Sequence, residues 1–401
     1  MIKTCVIFCG GLGTRLGSIT KKIPKPMVLI NNKPFLEHLL MQVKDLGIKN
    51  VYLCVGYKKD KIINYFKDGK KLGLKIHYSY SPPESKTGYR LNLIKKKIKE
   101  NFLLMYCDNY CPINIEKNFL LFKEKKSLVT LSICEKNKGN ILISNNKIKY
   151  KLKRQKEYKF VEIGYMICNR KLLNYVNNKN INLNEYFVKK NISSKISAII
   201  IHNKYLSISD QKRLTETRKY FRKKNIILID RDGVLNLKNK FARYIRKTNE
   251  INMNNKIISI LKKYPKIKYV CISNQAGIST GEVKRIDLKK INAFIKSFLK
   301  EKKINLIDFY ISTDHFNSNS FYRKPNPGNF LEAAKKYHLL LDKTFYIGDD
   351  PRDVIASFNA NTKCVYTGNK NDLKNFIKPY MKGSMLKNLS KSIELKLNSN
   401  Y

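Results

Sequence analysis

The sequence predicts an α/β protein made of two three-layer domains, each with a mostly parallel sheet between helices. Two short β-branched runs, Ile2–Phe8 and Asn225–Ile229, each end at a turn that carries glycine or aspartate. After each run, helical segments alternate with short apolar strands, a pattern typical of parallel sheets that bind ligands at the carboxyl ends of their strands. The turns after the two runs carry different chemistry, so the halves are predicted to be separate domains and not a tandem repeat.

The elements of the first half alternate in the order helix Pro34–Leu46, strand Val51–Val55, helix Lys59–Phe66, strand Lys75–Tyr80, helix Arg90–Ile98 and strand Phe102–Cys107. Beyond Asn114 we expect a βα pattern with long hydrophilic stretches and a charged helix near Asp210–Lys224. The second half follows the order helix Asn254–Lys263, strand Tyr269–Ser273, helix Leu288–Lys300, strand Leu306–Ser312, helix Asn329–Tyr337 and strand Thr344–Ile347. The predicted domains are 1–222 and 225–372, followed by a polar, basic tail at 373–401.

Charge is the most conspicuous property of the composition: 81 Lys and Arg stand against 30 Asp and Glu, a formal net charge of +51. The cations number 46 in residues 1–222 and 35 in residues 223–401, without a basic block or tail. A dedicated nucleic-acid site more often forms a patch or stripe. We therefore interpret the charge as solvated lysine background that is compatible with anionic substrates, and nucleic acid is not the expected partner.

Composition also excludes several other classes of protein. A hydrophobic content of 43% is sufficient for real cores and excludes wholesale disorder. No apolar stretch approaches the roughly 20 residues that span a bilayer, and the N-terminus resembles a strand entering a glycine turn more than a signal peptide. Nine cysteines are scattered singly, as expected for reduced thiols. The expected localisation is the cytoplasm.

A glycine-rich loop follows the first strand, in the segment CGGLGTRLG, and PKPM follows at 24–27. The closely spaced Gly10, Gly11 and Gly13 allow backbone N–H groups to approach phosphate oxygens without interference from Cβ atoms. Arg15 and Lys25 could neutralise the charge of a triphosphate. The spacing matches neither a Walker A loop nor the GxGxxG turn of dinucleotide-binding domains.

This segment resembles the signature of the sugar-1-phosphate nucleotidyltransferases, GGxGxRL followed by PKPM, and the similarity extends over most of residues 1–222. The resemblance implies transfer of a nucleotidyl group from an NTP to a sugar 1-phosphate, with release of pyrophosphate and assistance from Mg²⁺. The three glycines are then NTP binders, and Arg15 and Lys25 are catalytic cations. Asp108, at the end of a strand, matches the metal-binding aspartate of that family, and a hard carboxylate suits Mg²⁺.

Further positions carry the resemblance into the rest of this half. Gly88, in TGYRL, falls in the segment that resembles the base-contacting loop. Its TGxRL form is closer to cytidylyltransferases than to guanylyltransferases, so the resemblance leaves both GTP and CTP open. Glu162 and Gly164 fall where the family contacts the sugar. One position departs from the family pattern, because Ser207 stands where a second metal-binding aspartate is often found. Either Asp210 takes that role after a small shift, or metal binding is weaker and this half is catalytically compromised.

The second half carries carboxylates where the first carries glycines. Asp230 and Asp232 follow their strand directly, and two carboxylates at this spacing can act as a nucleophile toward phosphorus and as a general acid/base. The hydroxyl and amides of residues 273–275, the cations Arg323–Lys324 and the carboxylates Asp349–Asp350 follow in order. Each set lies at or near the predicted carboxyl end of a strand, so one sheet edge could bring them together.

This ordered set resembles the haloacid dehalogenase superfamily of phosphatases over residues 225 to about 370, nearest to its histidinol-phosphate and heptose-bisphosphate phosphatases. The resemblance implies that Asp230 is the nucleophile of an aspartyl-phosphate intermediate and Asp232 the acid/base. Ser273 and Lys324 would stabilise phosphoryl charge. The further implied roles are Mg²⁺ binding by Asp230, Asp232 through its carbonyl and Asp349, and substrate contacts by Asn274, Gln275 and Arg323.

A zinc loop often precedes Arg-Lys-Pro in that group of phosphatases. The equivalent positions here are Thr313, His315, Ser320 and Tyr322, so a single imidazole remains among hydroxyls. These residue types do not form a structural zinc site. We therefore predict Mg²⁺ and no zinc, with His315 as a loop residue or a substrate contact.

Together the two resemblances imply Rossmann-like folds and a bifunctional enzyme of nucleotide-sugar supply. Removal of the 7-phosphate from D-glycero-D-manno-heptose 1,7-bisphosphate would leave the 1-phosphate that a nucleotidyltransferase uses. Its partners would be sugar phosphates and an NTP, with no membrane association. Two alternatives stay open: a phosphatase acting on polynucleotide ends, and a phosphatase whose N-terminal domain binds nucleotide without turnover.

Overall fold

The computed structural model of the chain describes residues 2–144, 147–239 and 242–373. Two compact units divide the chain, the first comprising Met1–Arg222 and the second beginning at Lys223. The predicted tail at 373–401 lies outside the described residues except for Leu373. Within the described ranges no helix is both long and apolar enough to cross a bilayer.

The first unit is organised around a nine-stranded mixed sheet, with two short two-stranded ladders beside it. Its strands are β1 Thr4–Cys9, β2 Leu29–Ile30, β3 Lys33–Pro34, β4 Asn50–Val55, β5 Lys75–Tyr80, β6 Phe102–Tyr106, β7 Asn109–Tyr110, β8 Val129–Glu135, β9 Gly139–Ser144, β10 Lys147–Gln155, β11 Phe160–Cys168, β12 Ile196–Ile200 and β13 Leu206–Ser207. The longest path through the large sheet runs β10-β9-β11-β6-β1-β4-β5, and β8 joins β12 to β11.

Strand β1 lies at the centre of this sheet, parallel to both β4 and β6, and every one of its residues is buried. A strand covered on both faces must be apolar throughout, which explains the continuous run that the sequence shows. The helices of the unit are α1 Ser18–Lys22, α2 Phe35–Asp45, α3 Lys59–Phe66, α4 Thr87–Ile94, α5 Ile115–Glu124, α6 Leu183–Phe187, α7 Lys190–Ser193 and α8 Gln211–Phe221. The glycine loop therefore leaves the carboxyl end of the central strand.

Two features of this unit differ from the sequence prediction. Helix α4 begins at Thr87 and ends at Ile94, whereas the prediction was Arg90–Ile98. A turn replaces the helix after Ile94, and Ile98 still lies in the core, where it is 1% exposed. Beyond Asn114 the chain is richer in strands than expected, because β8, β9, β10 and β11 form antiparallel pairs that extend the sheet.

The second unit has five parallel strands in the order β16-β15-β14-β17-β18, with β14 at the centre. The strands are β14 Ile226–Ile229, β15 Lys268–Asn274, β16 Asn305–Ser312, β17 Phe345–Gly348 and β18 Lys363–Tyr366, and the helices are α9 Asn255–Lys262, α10 Arg285–Glu301, α11 Gly328–Tyr337 and α12 Pro351–Ala360. Leu228 and Ile229 pack into separate apolar clusters, because successive side chains of a strand point to opposite faces. Helices thus cover both faces, as the predicted three-layer α/β class requires.

Arg90 connects the loops of the first unit at the carboxyl end of its sheet. The side chain is 3% exposed, and the sheet end surrounds it with oxygen atoms. Its guanidinium donates to the carbonyl oxygens of Gly10, Val55, Pro82, Pro83 and Ser85 and to Ser81 Oγ. Because five of these acceptors are backbone carbonyls from three segments, Arg90 holds the glycine loop, the end of β4 and the segment 81–85 together.

We expect Arg90→Met to lower the free energy of unfolding of the first unit by about 3 kcal/mol or more, because several buried carbonyls would lose their donor at once. Urea denaturation followed by circular dichroism measures the change. Arg154→Met, at an exposed strand position, is the matched control and should change the unfolding free energy by less than about 0.5 kcal/mol. Equal stability of the two variants would show that Arg90 does not hold these loops.

Candidate active sites

The glycine loop of the first unit presents free backbone amides next to the end of β1. Within the described residues, the N–H groups of Gly11, Leu12 and Gly13 donate no hydrogen bond. Gly10 has no room for a side chain, since a Cβ atom there would overlap the Arg90 guanidinium. Consecutive backbone amides that are unpaired in the fold can form an anion site of the kind that holds phosphates. Arg15 follows in a short 3-10 turn, Thr14–Leu16, with its side chain exposed.

Lys25 and Asp108 meet across the same sheet end. The Lys25 ammonium lies 2.8 Å from Asp108 Oδ2, although 83 residues separate the two in the chain. Lys25 is 8% exposed and packs beneath the glycine loop. If Gly13 carried a Cβ atom, that atom would lie 3.0 Å from the Cβ of Lys25. The structure therefore brings Lys25, Asp108 and the loop together, as the sequence predicted for a single site.

Glu162 lies close enough to Asp108 for their charges to interact, and Gly164 supports it by donating its N–H to the Glu162 carboxylate. Burial raises the pKa of Glu162 to about 7, and the Asp108 charge acts in the same direction.

Gly88, expected in a loop that contacts the nucleotide base, is instead bonded within the fold. Its N–H donates to the Ile181 carbonyl and its Cα faces the Tyr186 ring, so this amide is already used within the fold.

Asp230 follows the central strand β14 of the second unit and is 6% exposed. The Lys324 ammonium lies 2.9 Å from Asp230 Oδ1, and it also contacts the Ile272 carbonyl and the Tyr346 hydroxyl at 3.1 and 2.8 Å. A buried lysine with this many oxygen partners holds its charge, and burial together with nearby carboxylates raises the pKa of Asp230 to about 8. The nucleophile and the cation predicted from sequence are thus in direct contact.

Asp353 completes this cluster and was not predicted from the sequence. It is fully buried, and its Oδ1 lies 2.6 Å from Lys324 Nζ. Its Oδ2 accepts the backbone N–H groups of Asp349 and Asp350 at 3.1 and 3.0 Å. The carboxylates of Asp230, Asp349 and Asp353 lie within 4.8 Å of one another. Because both oxygens of Asp353 are already bound, we assign it as an anchor for Lys324 rather than as a metal ligand.

The other two carboxylates fit a divalent cation. Asp349 Oδ1 is buried and accepts no hydrogen bond within the described residues, and burial raises the pKa of Asp349. An orphaned carboxylate oxygen beside a second carboxylate is the donor set that Mg²⁺ prefers. The other oxygen, Oδ2, pairs with Lys238 Nζ at 2.6 Å. Gly233 makes room for this carboxylate, because its φ of 93° and the absence of a Cβ let Asp349 pack against it.

Asp232 is held by protein groups from several segments. Arg231, whose side chain is fully buried, donates to both of its oxygens at 2.9 Å, and Gln275 and Asn236 donate at 2.7 and 2.9 Å. Burial alone would raise the pKa of Asp232, but the Arg231 charge and these hydrogen bonds outweigh it, so the pKa is lowered. Asp232 is therefore ionised at neutral pH.

The side chains of residues 273–275 are hydrogen-bonded mainly to other residues of the site. Gln275 donates to Ser273 Oγ and Asp232 and accepts from Arg231, so its amide is fully used. Asn274 bonds both the N–H and the carbonyl of Lys324, at 3.0 and 2.9 Å. The side chains expected as substrate contacts thus position Lys324 and Asp232, and Ser273 Oγ is the hydroxyl at this strand end.

Arg323 and the loop before it form the outer part of the site. Arg323 is 8% exposed, and its guanidinium bonds the Asp314 carbonyl at 3.3 Å. Burial lowers the pKa of Arg323, and the neighbouring charge of Arg352 adds to the effect. The loop itself is held by the Ser312 and Ser320 hydroxyls, which donate to Asp314. His315 Nδ1 accepts the N–H of Asn317.

A local signal for Asp353 was present in the sequence. The segment GDDPRD places this carboxylate four residues after Asp349, in the first turn of α12, where Asp350 caps the helix. Carboxylates in the first turn of a helix are stabilised by free N–H groups, so the pattern favours a helix start as much as a site. Only the packing of α12 against Lys324 shows that Asp353 belongs to the site as well as to the start of the helix.

We expect Asp353→Asn to lower the free energy of unfolding of the second unit by about 2–3 kcal/mol, because the buried Lys324 ammonium would lose a charged partner at 2.6 Å. Chemical denaturation measures the loss. Asp372→Asn, at an exposed position, is the matched control and should be neutral. If both variants unfold at the same denaturant concentration, Asp353 does not anchor Lys324.

Comparison with known proteins relates two parts of the chain to known families. The sequence matches the nucleotidyl transferase family over residues 4–140 and the haloacid dehalogenase-like hydrolase family over residues 189–367. It is 42% identical over 132 residues to a D-glycero-α-D-manno-heptose 1-phosphate guanylyltransferase of Campylobacter jejuni, covering 33% of this chain and 58% of that protein. The match therefore spans less than two thirds of this relative.

The second unit has a more complete relative. A D-glycero-β-D-manno-heptose-1,7-bisphosphate 7-phosphatase of Helicobacter pylori is 30% identical over 151 residues, which cover 37% of this chain and 85% of the phosphatase. Among solved structures, HddC from Yersinia pseudotuberculosis matches at 25% identity and a TM-score of 0.48, over 55% of this chain and all of that one. The chain is a fusion of a nucleotidyltransferase domain, homologous to heptose-1-phosphate guanylyltransferases, with a haloacid dehalogenase-type domain that belongs to the heptose-bisphosphate phosphatase family.

Proposed function

We propose that the chain is a bifunctional enzyme that removes the 7-phosphate of D-glycero-D-manno-heptose 1,7-bisphosphate and joins the resulting 1-phosphate to a nucleotide. The observation that carries the proposal is the buried Asp230–Lys324 contact of 2.9 Å beside an orphaned Asp349 oxygen. At one edge of the sheet, this arrangement would supply a nucleophile, a cation to offset phosphoryl charge and a binding site for Mg²⁺.

The phosphatase step begins at the Asp230 carboxylate, which attacks phosphorus and forms an aspartyl-phosphate while the sugar oxygen leaves. Lys324 offsets the charge of the transferring group, and a Mg²⁺ held by Asp230 and Asp349 would neutralise the remainder. Asp232 is ionised in the free chain, so it would protonate the leaving oxygen only after taking up a proton when the anionic substrate binds beside it. Returned to the ionised form that its lowered pKa favours, it would accept a proton from the water that hydrolyses the aspartyl-phosphate.

The transferase step uses the other unit. The free amides of Gly11–Gly13 and the Arg15 side chain would hold the triphosphate, and Lys25 would face the phosphorus under attack. Glu162 would accept hydrogen bonds from sugar hydroxyls. Identity to a relative named as a guanylyltransferase favours GTP over CTP as the nucleotide donor.

Anomeric configuration restricts which substrate can pass through both steps. The phosphatase relative is named for a β-bisphosphate and the guanylyltransferase relative for an α-1-phosphate. Loss of the 7-phosphate leaves the anomeric centre unchanged, so a product of the first step serves the second only if both sites accept the same anomer. We propose the α-anomer, because the transferase step takes place at the anomeric phosphate itself, whereas the phosphatase step takes place at C7, remote from the anomeric centre.

Incubation of the full chain with the α-bisphosphate, GTP and Mg²⁺ should yield phosphate, pyrophosphate and a GDP-sugar. The same assay with the β-bisphosphate should yield phosphate at most, and CTP in place of GTP should yield little nucleotide sugar. Chromatography and phosphate detection measure the products. Phosphate release from the β-anomer alone would exclude consecutive action on one substrate.

Asp230→Asn tests the phosphatase half of the proposal. Without the carboxylate nucleophile, we expect phosphate release to fall by at least ~10³-fold. The variant should still convert a synthetic heptose 1-phosphate and GTP to the GDP-sugar, which shows that the chain is folded. Asp372→Asn is the control for an aspartate outside the site. Wild-type phosphate release by Asp230→Asn would refute the assignment.

A pH dependence follows from Glu162. Because burial raises the pKa of Glu162 to about 7, this carboxyl is protonated below pH 7 and ionised above it. The ionised form is the stronger acceptor for sugar hydroxyls, so KM for the sugar 1-phosphate should fall as pH rises from 6 to 8. Glu162→Gln removes the titrating group, so a plot of its KM for the sugar 1-phosphate against pH should be flatter than that of the wild type. Parallel profiles would mean that Glu162 does not bind the sugar.

A further inference from the structure

Asp108 is the carboxylate of the first unit that is best placed for a metal ion, and its surroundings differ from those of Asp349 in the second. Strand β7 follows Asp108 directly and pairs with β13, so that Ser207 lies opposite Asn109. The N–H of Ile208 donates to the Asp108 carbonyl at 2.9 Å. The side chain on the strand next to Asp108 is thus a hydroxyl, and its Oγ already accepts the N–H of Ser209 at 3.2 Å.

The nearby carboxylates do not compensate for this hydroxyl. Asp210, which the sequence left open as a substitute, caps helix α8 by accepting the N–H of Arg213 at 2.9 Å and the Ser209 hydroxyl at 3.1 Å. Arg213 also lies 3.5 Å from its carboxylate. Glu162 already accepts the Gly164 N–H with one of its carboxylate oxygens.

Asp108 itself already has a cationic partner. Lys25 Nζ lies 2.8 Å from its Oδ2, and both side chains are largely buried. A divalent cation would have to compete with this ammonium for one carboxylate, without a second carboxylate to offset its charge. Asp349 also pairs with an ammonium, that of Lys238, but it has the Asp230 carboxylate beside it. Mg²⁺ gives up water reluctantly and is usually bound through carboxylates together with substrate phosphates. The donor set of the first unit therefore does not fit a resident ion.

We infer that the nucleotidyltransferase unit of this chain holds no divalent cation of its own, and that any such ion enters with the phosphates of the nucleotide. The feature responsible is the side chain of Ser207, a hydroxyl on the strand paired with the residue after Asp108, where a carboxylate could share the ion. The ammonium of Lys25 stands beside Asp108 in the nucleotide-free chain. The second unit, with Asp230 and the orphaned Asp349 oxygen, is then the place where the free chain binds a divalent ion.

Binding of Mn²⁺ to the full chain without nucleotide, counted by the loss of the free-ion electron paramagnetic resonance signal, tests this inference. The Asp349→Asn variant, which disables the site of the second unit, should bind no Mn²⁺ at micromolar concentrations. Adding Ser207→Asp to Asp349→Asn should create one site per chain, and adding Asp108→Asn to that double variant should remove it. Ser209→Asp, two residues further along, is the matched control and should create none.

Two outcomes would overturn the inference. One is an ion that Asp349→Asn retains and Asp108→Asn removes, because the first unit would then have a resident site. The other is a folded Ser207→Asp variant that gains no ion, because the missing carboxylate would then not be the cause. Circular dichroism establishes folding. The count requires no turnover, so it is independent of the proposed function, which stands or falls by the separate assay for pyrophosphate release.

Discussion

A buried cation must find an acceptor for each of its N–H groups, and this constraint shapes the sheet end of both units. Lys324 is 4% exposed and meets two carboxylates, a carbonyl and a hydroxyl, which come from the ends of β14, β15 and β17 and from α12. Arg90 is equally buried but is surrounded by carbonyls and one hydroxyl. Desolvating a charge is costly unless such partners exist, so these loops cannot move independently of their cation.

The charges around Lys324 differ from those around Arg90. Burial is the main reason why the pKa of Asp230 is raised even though it touches a lysine, and the carboxylates around Lys324, which outnumber the ammonium, add to the effect. An added divalent cation would relieve this repulsion, so the second unit is built for a metal. Around Arg90 all partners are neutral, and the nearest metal candidate, Asp108, is already paired with Lys25. The first unit therefore presents amides and cations to an anion.

Hydrogen bonding within the protein distinguishes polar residues that position the site from residues whose donors can still bind a ligand. Gln275, Asn274 and Gly88 carry groups that could bind a substrate, yet each is bonded to the protein. Arg323 is the opposite case, because its buried guanidinium has one carbonyl partner within the described ranges and its pKa is lowered. Residues of the first kind position the site, whereas Arg323 has donors left for an anionic ligand.

The α/β class, most helix and strand positions, and the residue types at the strand ends could be predicted from the sequence, because they follow from local periodicity and from motifs of adjacent residues. The sequence also placed Asp230 and Lys324 at one predicted site. That Asp353 anchors Lys324, that Asp210 is a helix cap and that Glu162 has a raised pKa became visible in the three-dimensional structure alone. These properties depend on burial and on distances between segments that are far apart in the chain, which no local pattern encodes.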